Sequence, residues 1–284
     1  MLSWRIGEAT AASRQSCTMT VEFRRSSEFS LAELATVFTA SYEGYFIPFV
    51  VDEGQLRYMV DVFDLDLSGS LVAVDRERPV GLANLGRRGE RTWLGGVGVV
   101  PDYRGSGVGE SLTRRLLDQA REAGAREMVL EVIVENTPAL ALYHKLGFAR
   151  TRELEVLSLA AATGLAEARE TNLEEGLRVV AAGRERPEPW QRAEETVANL
   201  VRDGSTPQAI TVEGASAVFS QESDRVSLLQ ATGDAAGLGA LAAALRSRGN
   251  LSALNFPAGE PVATALREAG ATVRLRQYEM VLPL

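Results

Sequence analysis

The chain contains one cysteine and one histidine among its 284 residues. Cys17 alone cannot form an intramolecular disulfide, and His144 alone cannot build a histidine metal cluster. A reducing cytoplasm and metal-free chemistry are therefore expected. Basic side chains are also in the minority, 30 Lys and Arg against 38 Asp and Glu, for a net charge of -8. That balance argues against binding nucleic acid or an anionic membrane, since both rest on many Lys and Arg contacts to phosphate. No apolar run approaches the ~18 residues of a membrane span. The opening MLSWRIGEATAASRQSCT lacks the apolar centre of a secretory signal and has no strong periodicity, so residues 1–19 are expected to form a flexible tail. What remains is an ordinary globular composition, 45% hydrophobic and 24% charged, on a chain long enough for two domains.

Local patterns supply the elements. VEFRR reads as a strand, and Ser30 with Glu33 as a capping box ahead of the helical LAELATVFTASY. A turn through Pro48 leads to a second helix in EGQLRYMVDVFD. Strands are expected over 70–75, 80–86 and 91–100. GESLTRRLLDQAREAG is helical, with Leu112, Leu116, Leu117 and Ala120 on one face and Gly124 at its end. MVLEVIVE (128–135) is a strand, NTPALALYHKLGF holds a helix entered through Pro138, and ARTRELEVLSL is a last strand. The order βααβββαβαβ describes a mixed α/β domain around one sheet.

The second half repeats the first at an offset of about 123 to 124 residues. AITVEG, ASAVFSQE and DRVSLLQAT are three short strands, preceded by a helix in WQRAEETVANLVRDG and followed by the helical GLGALAAALRSRG. Pro261 then corresponds to Pro138, Gly270 to Gly147, and RQYEMVLPL to RELEVLSL. The positions with chemical potential change between copies: Asp234 stands at about the place of Arg104, Ala235 at about that of Gly105, and Leu266 at that of Tyr143. AATGLAEARETN (161–172), small and polar, is the natural boundary between a first domain over 20–160 and a degenerate copy over 161–284.

VVPDYRGSGVGESL (99–112) joins a strand to a helix through Arg104, Gly105, Gly107 and Gly109. Such a loop exposes backbone N–H groups at the positive end of a helix dipole, which suits a phosphate; taken alone, it is as readily a tight turn. It is not a P-loop, since GVGES has no lysine, and the Gly-x-Gly-x-x-Gly fingerprint fails at Glu110 in one register and at Leu112 in the other. The pattern resembles the GNAT superfamily of acyl-CoA-dependent N-acetyltransferases. Arg104, Gly107 and Gly109 meet Arg/Gln-x-x-Gly-x-Gly/Ala, and Val99, Pro101, Tyr103, Arg104 and Gly105 meet the stretch leading into it. Asn136, Ala139, Tyr143, Gly147 and Phe148 meet a second motif about 27 residues downstream.

The resemblance implies a GNAT-like mixed sheet flanked by helices, present as two tandem copies, with acetyl-CoA as cosubstrate. It implies a pyrophosphate on the backbone of Arg104, Gly105, Ser106, Gly107, Val108, Gly109 and Glu110, and a pantetheine arm along Val97 to Val99. Gly95, Gly96 and Gly98 fit a bulge or splay in that strand. Asn136 is a pantetheine contact or a helix cap. The molecule is expected to be a monomer built as a pseudo-dimer, or a homodimer.

Acyl transfer from a thioester to an amine raises two proton problems. An amine of pKa about 10.4 is protonated near neutral pH, and exposing its lone pair costs about 4 to 5 kcal/mol, so a base helps. The departing thiolate benefits from an acid. The resemblance makes Tyr143 the acid. The strand WLGGVGV offers no carboxylate; Glu131 in VLEV occupies a strand position that resembles the proposed base of ribosomal-protein N-terminal acetyltransferases, with a structural or solvent-facing carboxylate as the equal alternative and a water chain to a more distant group as the third. His144 is expected on the surface. Tyr42, Tyr45, Phe46 and Phe49 with Glu43, Asp52 and Glu53 form either an amine-binding wall or an ordinary aromatic cluster with solvated acids, and the second copy could cover the acceptor cleft. The acceptor is an amine-bearing small molecule or protein; a non-catalytic acyl-CoA sensor is the alternative to an N-acetyltransferase.

Overall fold

Strand β1 (Val21–Arg25) leads into α1 (Leu31–Ser41), closed at its start by the expected capping box. Ser30 Oγ accepts from the Glu33 N–H at 3.3 Å while the Glu33 carboxylate accepts from the Ser30 N–H at 2.8 Å. Asp52 and Gln55 make the same reciprocal cap for α2 (Glu53–Phe63). The computed structural model describes residues 21–47, 49–164 and 167–284, so the expected tail over 1–19, Cys17 and Pro48 lie outside the described residues.

Strands β2 (Leu71–Asp75), β3 (Arg78–Arg88) and β4 (Arg91–Val99) form an antiparallel meander. β3 runs two residues further at each end than alternation suggested, because left-handed Arg76 and Glu77 close one hairpin and left-handed Gly89 the other. Helix α3 (Val108–Glu122), β5 (Glu127–Ile133), α4 (Thr137–Lys145) and β6 (Ala149–Leu159) follow in the expected order.

The second copy repeats it: β7 (Arg169–Thr171), α5 (Leu173–Ala182), α6 (Glu194–Arg202), β8 (Gln208–Val212), β9 (Ala215–Glu222), β10 (Arg225–Gly233), α7 (Ala235–Arg246), β11 (Asn250–Pro257), α8 (Pro261–Glu268) and β12 (Thr272–Pro283). β7 and α5 were not expected. α5 did carry a signal: Asn172 accepts from the Glu175 N–H at 2.7 Å, and Leu173, Leu177 and Val180 share the face packed on Ala209 and Val218.

The twelve strands form one sheet in the order β1-β2-β3-β4-β5-β12-β6-β11-β10-β9-β8-β7. The last strands of the two copies are exchanged. Residues Gln277–Pro283 of β12 pair antiparallel with the whole of β5, and β6 pairs antiparallel with β11. The cores follow: Met280 and Leu282 of β12 pack with Leu112, Leu116, Leu130 and Phe148 of the first copy, while Leu157 and Leu159 of β6 pack with Leu241, Leu251 and Phe256 of the second. Buried Glu279 on β12 receives a two-pronged bond from Arg152 on β6, at 2.8 and 3.0 Å. Removing one partner of such a buried pair costs about 3–5 kcal/mol, since it strands a desolvated charge.

The exchange makes a direct prediction. A chain cut after residue 160 lacks β12, leaving the β5 edge and its apolar face open. It is expected to aggregate or melt without a cooperative transition, by size-exclusion chromatography and thermal circular dichroism, and to be recovered as a stable complex by co-expressed 161–284.

Candidate active site

β4 and β5 pair in parallel over only Arg91–Trp93 and Glu127–Val129. Beyond that the strands part, so the β4 edge from Leu94 to Val99 has β3 on one side and, among the described residues, no strand on the other. A register shift opposite Asn84 and Leu85 leaves Gly95 bulged at the point of divergence. Gly96, at φ +144, is required there, because a Cβ would sit 2.6 Å from the Tyr42 hydroxyl. Val97 and Val99 turn their side chains into the α3–α4 core and leave their outer backbone edge free.

The loop after β4 ends at the start of α3. The first helical bond runs from the Ser111 N–H to Gly107 O at 3.0 Å, leaving the N–H groups of Gly107, Val108, Gly109 and Glu110 without a helical acceptor. Gly107 sits at φ +90, a conformation that a side chain would strain, while buried Val108 anchors the turn. Ser106 Oγ donates to Tyr103 O at 2.5 Å. Arg104 differs from its expected role: its N–H is taken by Pro101 O at 3.1 Å. Its guanidinium donates to Val99 O, Ser41 O and Glu43 O at 3.0, 3.2 and 2.6 Å, tying the end of α1 to β4. The Glu110 carboxylate is drawn aside by Lys145 at 2.7 Å and by Arg114, and these bonds, Lys145 first, hold it below the usual carboxylate range.

Four polar groups converge on the gap. Tyr143 is buried, and desolvation pushes its phenol well above its ordinary value, with a further contribution from nearby Tyr45. Tyr42 is raised by the same cause and by Tyr143 and Tyr45. Asn136 fills the cap role: its Oδ1 accepts from the Ala139 N–H at 3.3 Å at the start of α4, and its Nδ2 donates to the Tyr45 hydroxyl at 3.4 Å. His144 is exposed.

Glu131 lies on the other face of β5, where Trp93, Val129 and Trp190 pack together. Its Oε2 accepts from Trp93 Nε1 at 2.7 Å and from Gln191 Nε2 at 3.0 Å, while Oε1 is shielded from solvent with no hydrogen-bond partner among the described residues. The residue as a whole is half-buried, but its carboxyl end is desolvated, and this pushes its pKa up to about 7. The Glu279 carboxylate, directly opposite on β12, adds to the rise; Gln191, Trp93 and Arg91 oppose it. No hydrogen bond joins Glu131 to Tyr143.

The expected aromatic wall is mostly packing. Tyr42 stacks on Phe38 at 4.7 Å and meets Tyr45 and Phe49 at 5.0 and 5.6 Å, leaving Phe46 exposed. Asp52 is a helix cap, Glu53 pairs with Arg57 at the surface, and Glu43 offers Arg104 only its carbonyl.

The model of the acetyltransferase (GNAT) family matches residues 32–148. The chain is 37% identical over 90 residues to N-alpha-acetyltransferase 30 of Schizosaccharomyces pombe, covering 30% of this chain and 60% of that protein. It is 38% identical over 101 residues to the mycothiol acetyltransferase of Actinosynnema mirum, covering 35% of this chain and 33% of that protein. Less than two thirds of each relative is thus spanned. In fold the likeness runs through both copies. The GCN5-related N-acetyltransferase from Sphaerobacter thermophilus superposes with a TM-score of 0.70 at 16% identity, over 93% of this chain and 95% of that one. A tandem GNAT protein from the clavulanic acid biosynthesis pathway superposes at 0.58 and 13% identity, over 93% and 98%.

The second GNAT-like copy keeps the parted strands but not the loop. β10 and β11 pair in parallel over Arg225–Leu228 and Asn250–Ala253, and Leu229 is bulged as Gly95 is. Residues 100–107 separate β4 from α3, whereas Asp234 alone separates β10 from α7. Asp234 therefore stands at the cap position held by Gly107 rather than at that of Arg104, and its carboxylate takes the Gly237 N–H at 2.8 Å. The gap itself is bridged by Arg192, which donates to Leu229 O on one strand and to Asn255 O on the other at 2.9 and 3.0 Å. Glu188 and the Phe256 ring hold that buried guanidinium.

Sequence reasoning missed Trp93, Trp190 and Gln191. Trp190 is fully buried, stacks on Trp93 at 5.8 Å and donates to Phe63 O at 2.8 Å. Nothing in one sequence ties the 190–192 turn to β4, because the link is tertiary.

The raised Glu131 pKa has a consequence for stability. The folded protein keeps a proton that the unfolded chain releases near pH 4.5, so this contribution is full below about 4.5 and lost as pH rises through about 7. The melting temperature of the native protein is expected to fall from pH 5 to pH 8 relative to that of Glu131→Gln, measured by differential scanning fluorimetry; parallel curves would contradict it.

Proposed function

We propose that the first copy is an acetyl-CoA-dependent N-acetyltransferase that transfers an acetyl group to a primary amine by direct attack on the thioester. The supporting observation is the meeting, at one gap between β4 and β5, of an uncapped helix N-terminus, an unpaired strand edge and a desolvated carboxyl group with one free oxygen. Acetyl-CoA fits these groups in order. The N–H groups of Gly107 to Glu110 would take the diphosphate, with Gly105 and Ser106 forming the rim. The free edge of Val97 to Val99 would pair with the amides of the pantetheine arm.

The amine nitrogen attacks the thioester carbonyl carbon, a C–N bond forms and the C–S bond breaks. Glu131 Oε1 takes the amine proton; a carboxyl titrating near 7 is ionised in a useful fraction at neutral pH yet basic enough to accept it. Tyr143, kept neutral by its buried setting, donates its proton to the departing thiolate. The names of the relatives support acetyl transfer, and the acceptor is an amine-bearing small molecule or protein in the cytoplasm.

The test is thiol release from acetyl-CoA across a panel of amino acids, polyamines and peptide N-termini. Tyr143→Phe and Glu131→Gln are each expected to lower kcat by about 10²-fold or more, with acetyl-CoA affinity preserved. Binding without turnover on any amine would support the sensor reading instead.

A further inference from the structure

We propose that the second copy serves the reaction through Gln191, a positioning residue that orients the Glu131 carboxylate and favours its proton-accepting form. This rests on the reading of Glu131 as the base. Gln191 and Trp93 both donate to Glu131 Oε2, so two donors fix the carboxylate plane and leave Oε1 as the free acceptor atom. Gln191 is itself held. Its Oε1 accepts from Asn255 Nδ2 at 3.1 Å, and Asn255 Oδ1 accepts from Gln277 Nε2 at 2.8 Å. The three amides, all from the second copy, donate in one direction and end on the carboxylate.

That direction has a chemical cause. An ionised carboxylate can only accept, so Gln191 must present its NH2 group and its oxygen must face Asn255. Aligned donors polarise one another, which strengthens the last bond where the charge sits. The backbone fixes the series from both sides. Asn255 sits at φ +56 beside a bulge in β11, a left-handed conformation asparagine tolerates. Arg192 grips Asn255 O, and Trp190 is stacked on Trp93, so both neighbours of Gln191 are immobilised.

The other charged groups facing Glu131 are few. Glu279 on β12 opposes its ionisation and is countered by Arg152, and Arg91 on β4 favours it. A network that merely sealed the interface would have no reason to bring two donors to Oε2 and leave Oε1 bare.

The test follows the Trp93 indole N–H of the 15N-labelled full chain by NMR as pH is raised, assigned with Trp93→Phe. In the native protein it is expected to report Glu131 ionisation near pH 7. Gln191→Leu keeps bulk but removes the donor, so the midpoint should rise by about one pH unit, and the acid limb of kcat/KM should rise with it. Asn255→Gly, which suits the left-handed backbone, should move it the same way by less, and carries the test alone if Gln191→Leu unfolds. A native midpoint in a folded variant overturns the proposal. An indole signal that does not titrate, or full activity in Glu131→Gln, overturns the base assignment itself.

Discussion

Strands β12 and β6 each close the sheet of the opposite copy, and the remaining features of the molecule depend on that exchange. It puts Met280 and Leu282 into the first core and Leu157 and Leu159 into the second, so neither core is complete without the other copy's final strand. It also sets Glu279 across from Glu131 and brings the 183–193 segment over β4. A carboxyl on β5 thereby acquires neighbours that sequence position alone would never give it. Desolvation by those neighbours, more than any one charge, makes Glu131 chemically distinctive.

The two copies show what a GNAT-like sheet retains and discards. Both have diverging central strands with a bulge at the same place, Gly95 in one and Leu229 in the other. In the first, the edge is left unpaired and the helix start uncapped. In the second, an aspartate caps the helix, the connecting loop is gone, and an arginine spans the gap. Unsatisfied backbone groups are costly when buried, and in the second gap Arg192 satisfies a carbonyl on each strand. Its neighbour Gln191 faces the first copy's carboxylate. One short segment thus bridges the strands of one copy and bonds to a carboxylate of the other.

Much of this was legible in the sequence, and the boundary of legibility is physical. Local rules found the capping box at Ser30, the helix entry at Pro138 and the order of elements in the first copy, because caps, periodicity and turn residues act within a few positions. The repeat, read from Pro138 with Pro261 and Gly147 with Gly270, revealed two copies, but it aligned Asp234 with Arg104 because the second copy has one residue where the first has the 100–107 loop. Of the acids beside the aromatic cluster, Asp52 caps a helix and Glu53 pairs with Arg57 at the surface, as the reading of an ordinary cluster with solvated acids has it. Arg104 was read as part of a phosphate cradle and is a clamp on α1, since a side chain's choice of partner depends on what folds beside it. Trp190, Gln191 and the strand exchange lay beyond sequence reasoning for the same reason: they are contacts between distant segments.

The central claim is that one chain carries one acetyl-CoA site, in the first copy. A crystal structure of the full chain with acetyl-CoA tests it most directly. A single ligand is expected, its diphosphate on the N–H groups of Gly107 to Glu110, its pantetheine along Val97 to Val99, and its acetyl group between Tyr143 and Glu131. A ligand lodged between β10 and β11, or a diphosphate bound away from α3, would contradict it.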